Sequence, residues 1–106
     1  MNIITPSGNN GNIYELKEIK NVNIEVNGKL VVAMNAVLDI LFRELRDTKK
    51  IDSTNMDIIF LNTVRELEDV GLVKKSMSLV FPFCNYYTLE SEELLDYMIR
   101  CFERVN

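Results

Sequence analysis

The hydrophobic and polar positions change their period between residues 63 and 89. The first part has helical spacing and ends at Gly71, which fits the glycine that commonly follows a last helical turn. Residues 76–83 then alternate as a predicted strand, and residues 86–89 form its predicted partner in a hairpin. Ser91 fits the N-cap of a closing helix. The pattern therefore predicts a helix, a β-hairpin and a final helix.

The predicted hairpin and closing helix each have an apolar face. Pro82 lacks an amide N–H, so its strand is expected to lie at a sheet edge or to end there. One face of that strand is expected to hold Met77, Leu79, Phe81 and Phe83. In the closing helix we expect acids in the first turn (Glu92, Glu93), bases in the last turn (Arg100, Arg104) and a buried stripe (Leu94, Leu95, Met98, Phe102, Val105).

The first half of the chain allows two interpretations. Residues 22–26 alternate as a strand, and Asn27-Gly28 is a strong signal for a tight hairpin turn. A second strand at residues 29–33 would complete that hairpin. The preferred interpretation instead has Gly28 end the strand and predicts a helix over residues 30–47 that is buried on most sides.

A polar connection is predicted over residues 47–55, with a helix after it. Thr54 and Asp57 match a capping box ahead of an apolar run. Residues 53–70 could form either one helix or two. Their apolar stripe is continuous, and no Gly or Pro interrupts it to make a turn.

The composition is typical of one small globular domain. Apolar residues make up 47% of the chain and charged residues 26%, which is too apolar for a disordered protein. Residues 1–12 are expected to form a flexible N-terminal arm, and residues 13–106 are expected to form a single domain. No apolar run approaches the roughly 20 residues of a membrane span, and the first residues lack the pattern of a secretory signal. We therefore expect a cytoplasmic protein with no membrane partner.

Residues that commonly perform catalysis or bind metals are scarce. The chain has no histidine, which removes imidazole bases and mixed Cys/His zinc sites. Its two cysteines, Cys84 and Cys101, lack CxxC spacing and are expected to stay reduced. No glycine-rich phosphate-binding motif is present. The sequence predicts a protein that is not an enzyme, without catalytic residues, a metal site or a cofactor.

The net charge of −4 lies in the second half of the chain. Residues 1–53 contain seven bases and seven acids, whereas residues 54–106 contain five bases and nine acids. Proteins that bind duplex DNA neutralise phosphates with Lys and Arg, so this half has the wrong sign for that task. Candidate contacts to a partner protein are Glu66, Asp69, Tyr86 and Tyr87, and one of the adjacent tyrosines is expected to face outward. Candidate contacts to DNA, under the alternative, are Lys49, Lys50, Arg65, Lys74 and Lys75.

Four segments together are similar to a known family. They are the apolar segment from residue 30, RELEDVGLVKK, the SMSLVFPF and NYYTL strands, and SEELLDYM. Over residues 30–105 they resemble the winged-helix superfamily, both its small bacterial transcription regulators and the winged-helix domains at the C-terminus of origin-recognition proteins. The resemblance implies an α+β fold, a small winged-helix-like domain with about three helices, a C-terminal β-hairpin and an N-terminal strand. It also implies binding to DNA or protein.

The chain departs from this family between residues 53 and 70, where a helix-turn-helix needs two helices. That departure and the acidic second half favour a non-enzymatic module that binds another protein as a regulator, adaptor or inhibitor. The short, acidic, Asn-rich chain also suits a phage-encoded inhibitor of a host protein. The alternative is a DNA-binding winged-helix regulator of transcription or replication that acts as a homodimer.

Overall fold

The computed structural model describes residues 18–81 and 83–106, which form a small α+β domain with three helices and two sheets. In chain order the elements are β1 (Asn21–Val26), β2 (Lys29–Met34), α1 (Asn35–Thr48), β3 (Lys50–Asp52), α2 (Ile58–Asp69), β4 (Val73–Met77), β5 (Asn85–Leu89) and α3 (Glu92–Val105). One antiparallel sheet has the order β1-β2, and the other has the order β3-β5-β4. The predicted arm over residues 1–12, and its boundary with the domain, lie outside the described residues.

β1 and β2 form a hairpin that Asn27 and Gly28 close, with φ angles of +49° and +81°. Positive φ at both central residues is the geometry that an Asn-Gly pair favours in a two-residue turn. The hairpin buries one face, which consists of Val22, Ile24, Val26, Val31 and Ala33. The preferred prediction of a helix from residue 30 is therefore wrong, because residues 29–34 pair with β1 and the helix begins at Asn35.

α1 places one apolar face on the core and exposes the opposite face. The buried face contains Val37, Leu38, Leu41, Phe42 and Leu45. Ile40, in contrast, is 53% exposed. The prediction that this helix is buried on most sides is wrong, since the apolar residues that suggested it at positions 30–33 belong to β2.

Asn35, the first residue of α1, is a buried polar residue that holds several chain segments together. Its side-chain amide donates to the carbonyl of Glu18 (2.9 Å) and to Oδ1 of Asn106 (2.8 Å), and its Oδ1 accepts the N–H of Lys20 (3.1 Å). Its own N–H donates to the Lys20 carbonyl (2.8 Å). These bonds close the open end of the first hairpin and join it to the end of α3.

The second sheet differs from the predicted C-terminal hairpin in its strand order. β4 and β5 do pair antiparallel, but β3 occupies the other edge of β5 and makes β5 the central strand. The prediction that residues 47–55 form only a connection is therefore wrong. Ile51 of β3 is buried at 2% exposure and lies opposite Tyr87. One apolar residue among polar ones is too short a pattern to indicate a strand.

α2 is a single helix, which decides between the two interpretations of residues 53–70. Its N-cap is Asp57, whose side chain accepts the N–H of Ile59. The predicted capping role of Thr54 is wrong, because the helix begins only at Ile58 and Asp57 occupies the N-cap position; the Thr54 N–H instead donates to Asp52 in the turn after β3 (2.9 Å). No other helix stands between β3 and β4 in this fully described stretch, so the two helices of a helix-turn-helix are not both there.

The end of α2 confirms the predicted role of Gly71. The N–H of Gly71 donates to the carbonyl of Glu68, and the N–H of Leu72 donates to the carbonyl of Leu67, both at 3.0 Å. This pair of bonds is the Schellman pattern, and Gly71 has the left-handed φ of +86° that it requires. The glycine therefore stops the helix and turns the chain into β4.

α3 confirms most of the predicted closing helix. The Ser91 hydroxyl accepts the N–H of Leu94 (3.1 Å), two acids lie in the first turn and Arg104 lies in the last. The buried stripe consists of Leu95, Met98 and Phe102, whereas Leu94 is half-buried and Val105 is 42% exposed. The prediction that Val105 is buried is wrong, since it lies at the last residue of the helix, beyond the packed stripe.

Candidate functional site

A loop of exposed apolar residues connects β4 to β5. We call residues 78–84 the apolar loop. Leu79 is 91% exposed and Phe81 is 82% exposed, and Val80 and Phe83 are also exposed. Small monomeric proteins seldom expose a contiguous apolar patch, and such a patch commonly marks an interaction site. The apolar loop is therefore the strongest candidate for a functional surface in the described residues.

Hydrogen bonds define the conformation of the apolar loop. At its base the N–H of Ser78 donates to the carbonyl of Cys84 (3.0 Å). Nearer the tip the N–H of Phe83 donates to the carbonyl of Val80 (2.8 Å), and Phe83 has a φ of +53°. The rings of Phe81 and Phe83 pack edge to face with their centres 6.0 Å apart. Phe81 and Phe83 therefore form one exposed aromatic pair.

Sequence reasoning assigned these loop residues to a strand. The strand ends at Met77 instead, so the prediction that Leu79, Phe81 and Phe83 line one face of a strand over residues 76–83 is wrong. The alternation included Val80 and Pro82, which are not polar and so do not indicate a solvent face. The useful signal was the run from Leu79 to Phe83 without any polar residue, because such a run is unfavourable on a surface unless it has a function.

The two predicted tyrosines point to opposite sides of β5. Tyr87 is 3% exposed and belongs to the core, so it offers no surface to a partner. Tyr86 is half-buried on the outer face, where the Lys50 ammonium lies 5.8 Å from the centre of its ring. The prediction that one ring faces in and the other out is confirmed. Tyr86 lies two residues after Cys84, the last residue of the apolar loop, and can extend its contact surface.

The two predicted acidic contacts, Glu66 and Asp69, lie on α2 and contact the first hairpin. Glu66 Oε1 accepts the N–H of Val32 at 3.2 Å, which satisfies a backbone donor at the edge of β2. Asp69 forms an exposed ion pair with Lys29 at 3.5 Å. These acids attach α2 to β2, whereas Tyr86 belongs to the second sheet. The structure does not bring the four predicted partner contacts together.

The five predicted basic residues are spread over several elements. Lys50 and Lys74 lie in one row on the outer face of the second sheet, with Thr88 between them. Lys49 pairs with Glu92 at 3.1 Å, and Lys74 pairs with Glu90 at 3.7 Å. Lys75 and Arg65 form no ion pair within residues 18–81 and 83–106. The resulting surface has mixed charge.

Two titratable groups have shifted pKa values. Hydrogen bonds from the backbone N–H and the hydroxyl of Thr54, helped by the charge of Lys50, lower the pKa of Asp52. A hydrogen bond with Cys101 raises the pKa of Tyr97. Both groups are on the surface, on β3 and α3, and they do not form an acid–base pair. The described part of the chain brings no three Cys, Asp or Glu side chains together as metal ligands.

Comparisons with known proteins found no matching family model, no matching curated protein and no matching solved structure. Among the helices formed by the described residues, none has the length and apolar character needed to cross a membrane. The function is therefore inferred from the surface of this chain itself.

Proposed function

We propose that the protein is a non-enzymatic module that binds another protein, as a regulator, adaptor or inhibitor. The observation that carries this proposal is the apolar loop between β4 and β5, with Leu79 and Phe81 almost fully in water. Exposing apolar side chains to water is unfavourable in free energy, and a partner that covers the loop removes this unfavourable contribution. Inhibition of a host protein by a phage-encoded chain is one form that this function would take.

The size of the hydrophobic effect supports a role in binding. Fully burying a Leu, Val or Phe side chain contributes about 1.5–3 kcal/mol. Four such side chains, Leu79, Val80, Phe81 and Phe83, can offset much of the roughly 4–15 kcal/mol that association costs in lost freedom of motion. The hydrogen bonds within the loop reduce that cost, because the aromatic pair is already ordered before binding.

The shape of the loop favours a different protein over a second copy of this chain. A stable interface usually buries about 800 Å² on each partner, and an aromatic side chain supplies roughly 150–250 Å². Two projecting loops that meet tip to tip would each bury only one side. A concave apolar cleft on a partner would enclose Leu79 and Phe81 on all sides, which makes homodimerisation through this loop the weaker alternative.

We also propose that the fold is a reduced winged helix that acts inside the cell. A helix, an antiparallel pair of strands and a capped closing helix follow one another as in that superfamily, with a single helix between β3 and β4. Two free, half-buried cysteines, Cys84 and Cys101, agree with a reducing compartment. The loss of one helix removes the pair that a helix-turn-helix uses on DNA.

Affinity capture from the source cells tests the protein-binding proposal. We expect the unaltered chain to retain a partner that the double variant Leu79→Asp, Phe81→Asp loses. Ile40→Asp is the matched control, since Ile40 is an exposed apolar residue on α1 and 53% accessible. Thermal melts should be alike for all three proteins. A partner retained equally by the double variant would contradict the proposal.

DNA binding is the second candidate, because Lys50 and Lys74 share one face of the second sheet. Glu90 already neutralises Lys74, so phosphates would have to displace a carboxylate. We expect no retardation of random duplex DNA at low salt in a gel-shift assay. Retardation that weakens steeply as salt rises would instead favour the DNA-binding alternative.

A further inference from the structure

Within the described residues, β4 has one edge without a neighbouring strand. β5 pairs with β3 on one side and with β4 on the other, so β4 ends the sheet. On the β5 side the Leu72 carbonyl accepts the N–H of Glu90 (2.8 Å), and the N–H of Ser78 donates to Cys84 (3.0 Å). Antiparallel strands alternate the direction of their backbone groups, so Lys75, between these two positions, points its N–H and C=O away from β5.

The open part of this edge runs from Lys74 into the apolar loop. Val73 is buried, whereas Lys74, Lys75 and Met77 are exposed, with Met77 at 56%. Lys75 and Met77 share one face of the strand because side chains alternate with a period of two. Leu79, two residues after the end of the strand and within the apolar loop, is 91% exposed. The outward-facing backbone groups of β4, the ammonium group of Lys75 and the apolar side chains of Met77 and Leu79 therefore follow one another along the chain.

The charge of Lys75 selects what can pair with the edge. Lys74 already has Glu90 as its partner, but Lys75 forms no ion pair within the described residues. If a second copy paired antiparallel about Lys75, two lysines would face each other, and like charges directly opposite destabilise a sheet. A strand with a carboxylate at that position would gain instead. Charge complementarity thus favours an acidic segment of another protein.

We propose that an extended segment of the partner protein adds to the free edge of β4 as a further strand. Its backbone pairs with the open N–H and C=O groups of Lys75 and Met77. On one face it places a carboxylate beside Lys75 and, two residues along, an apolar side chain beside Met77. It continues onto the apolar loop at Leu79. This inference deepens the proposed function and depends on it, and the mode of recognition is β-strand addition.

Panning of random linear peptides displayed on phage against the full chain tests this proposal. We expect enriched peptides to carry an acidic and an apolar residue two positions apart. Fluorescence polarisation of a synthetic copy then measures its affinity. Methylation of the backbone nitrogens that face β4 should raise Kd about tenfold or more, because each lost hydrogen bond weakens pairing. Methylation of the intervening nitrogens should have little effect.

Charge variants provide the second measurement. Lys75→Glu should raise the Kd of the same peptide about fivefold. Lys20→Glu is the matched control, since Lys20 is an exposed lysine just before β1, and it should leave Kd unchanged. Circular dichroism melts should show that both variants are folded.

The outcomes separate this inference from the proposed function. Strand addition would be overturned if no peptide is enriched. It would also be overturned if neither backbone methylation nor Lys75→Glu changes the Kd of the enriched peptides. If the Leu79→Asp, Phe81→Asp variant still loses its captured partner in that case, the proposed function stands and only the strand addition is wrong. If that variant keeps its partner while the peptides pair with β4, the loop-based function is wrong instead.

Discussion

The two β-hairpins of this chain differ in how much of their apolar surface is exposed to water. The first hairpin turns within two residues, Asn27 and Gly28, and buries one face against the core. The second connects its strands through residues 78–84 and exposes most of the apolar side chains there. Each first-hairpin strand also has a contact from a helix, through Glu66 on one side and Tyr97 on the other. The outer edge of β4 has no neighbouring strand in the part of the chain that the structure describes.

The two hairpins therefore place their apolar side chains in different environments, mainly in the core for the first and mainly in water for the connection of the second. A two-residue turn has no room for apolar side chains, and the apolar residues on the inner face of the first hairpin belong to the core, whereas Leu30 and Val32 on its other face are exposed. A longer connection can present side chains that the core does not need. Substitutions on the buried face of the first hairpin should therefore reduce stability, and substitutions in the apolar loop should leave stability nearly unchanged.

The largest expected effect comes from the buried face of the first hairpin. Ile24 is 1% exposed, and Ile24→Ala should lower the free energy of unfolding by about 2–5 kcal/mol, because it removes buried methyl groups and leaves a cavity. Leu79→Ala on the apolar loop is the matched control and should change it by less than about 0.5 kcal/mol. Urea denaturation measures both. Comparable losses for the two variants would remove the distinction between the hairpins.

The next largest change in the free energy of unfolding is expected at side chains that hydrogen-bond at the ends of the two sheets. Asn35→Ala should cost about 1–3 kcal/mol, since it removes a buried amide that donates to the Glu18 carbonyl and to Oδ1 of Asn106. Ser53→Ala in the second sheet removes an exposed hydroxyl bond to Asn85 (2.7 Å) and should cost about 1 kcal/mol or less. Chemical denaturation compares the two. A larger loss for Ser53→Ala would contradict this ranking.

The turn of the first hairpin provides a smaller effect. Gly28 has a φ of +81°, and a Cβ there would meet no atom within 4 Å. Gly28→Ala should therefore cost about 1 kcal/mol through backbone strain alone. Asn27→Gly should stay within about 0.5 kcal/mol, because both residue types suit this turn position. Urea denaturation measures both variants. A loss of stability for Gly28→Ala well above about 1 kcal/mol would indicate clashes with neighbouring side chains and would contradict this explanation.

The smallest effect concerns Asp52 in β3, an edge strand of the second sheet. The folded chain lowers the pKa of Asp52 below its usual 3.8, so folding favours the ionised carboxylate. Its contribution to stability is present above about pH 4 and is lost as the pH falls through the lowered pKa. Asp52→Asn should melt slightly lower than the unaltered chain near neutral pH, and this gap should close in acid. A gap that is constant across a melting series from neutral to acid pH would contradict the assignment.

Local signals in the sequence predicted the end of α2 and the start of α3. Gly71 and Ser91 have the terminating and capping roles that their residue types indicated, since each depends on hydrogen bonds to residues a few positions away. The start of α1 was wrong for a different reason. Residues 30–33 are apolar enough for a buried helix or a paired strand, and only pairing with β1 decides between them.

Among the candidate contacts, Tyr86 and Tyr87 followed directly from alternation along a strand. The apolar loop did not, because Leu79 and Phe81 continue an apparent period of two with Met77. Whether such residues are covered depends on neighbours that are distant in sequence. No element of the described chain covers them, and this is visible only in three dimensions.

The sequence by itself determined the N-cap of α3, the glycine that ends α2 and the absence of histidine chemistry. Each of these depends on residue type and on neighbours within a few positions. Only the tertiary structure decided that Ile51 adds a strand beside β5, that α2 is a single helix and that the apolar loop projects into water. Strand pairing and burial are set by contacts between distant segments, and the same local pattern is compatible with more than one set of such contacts.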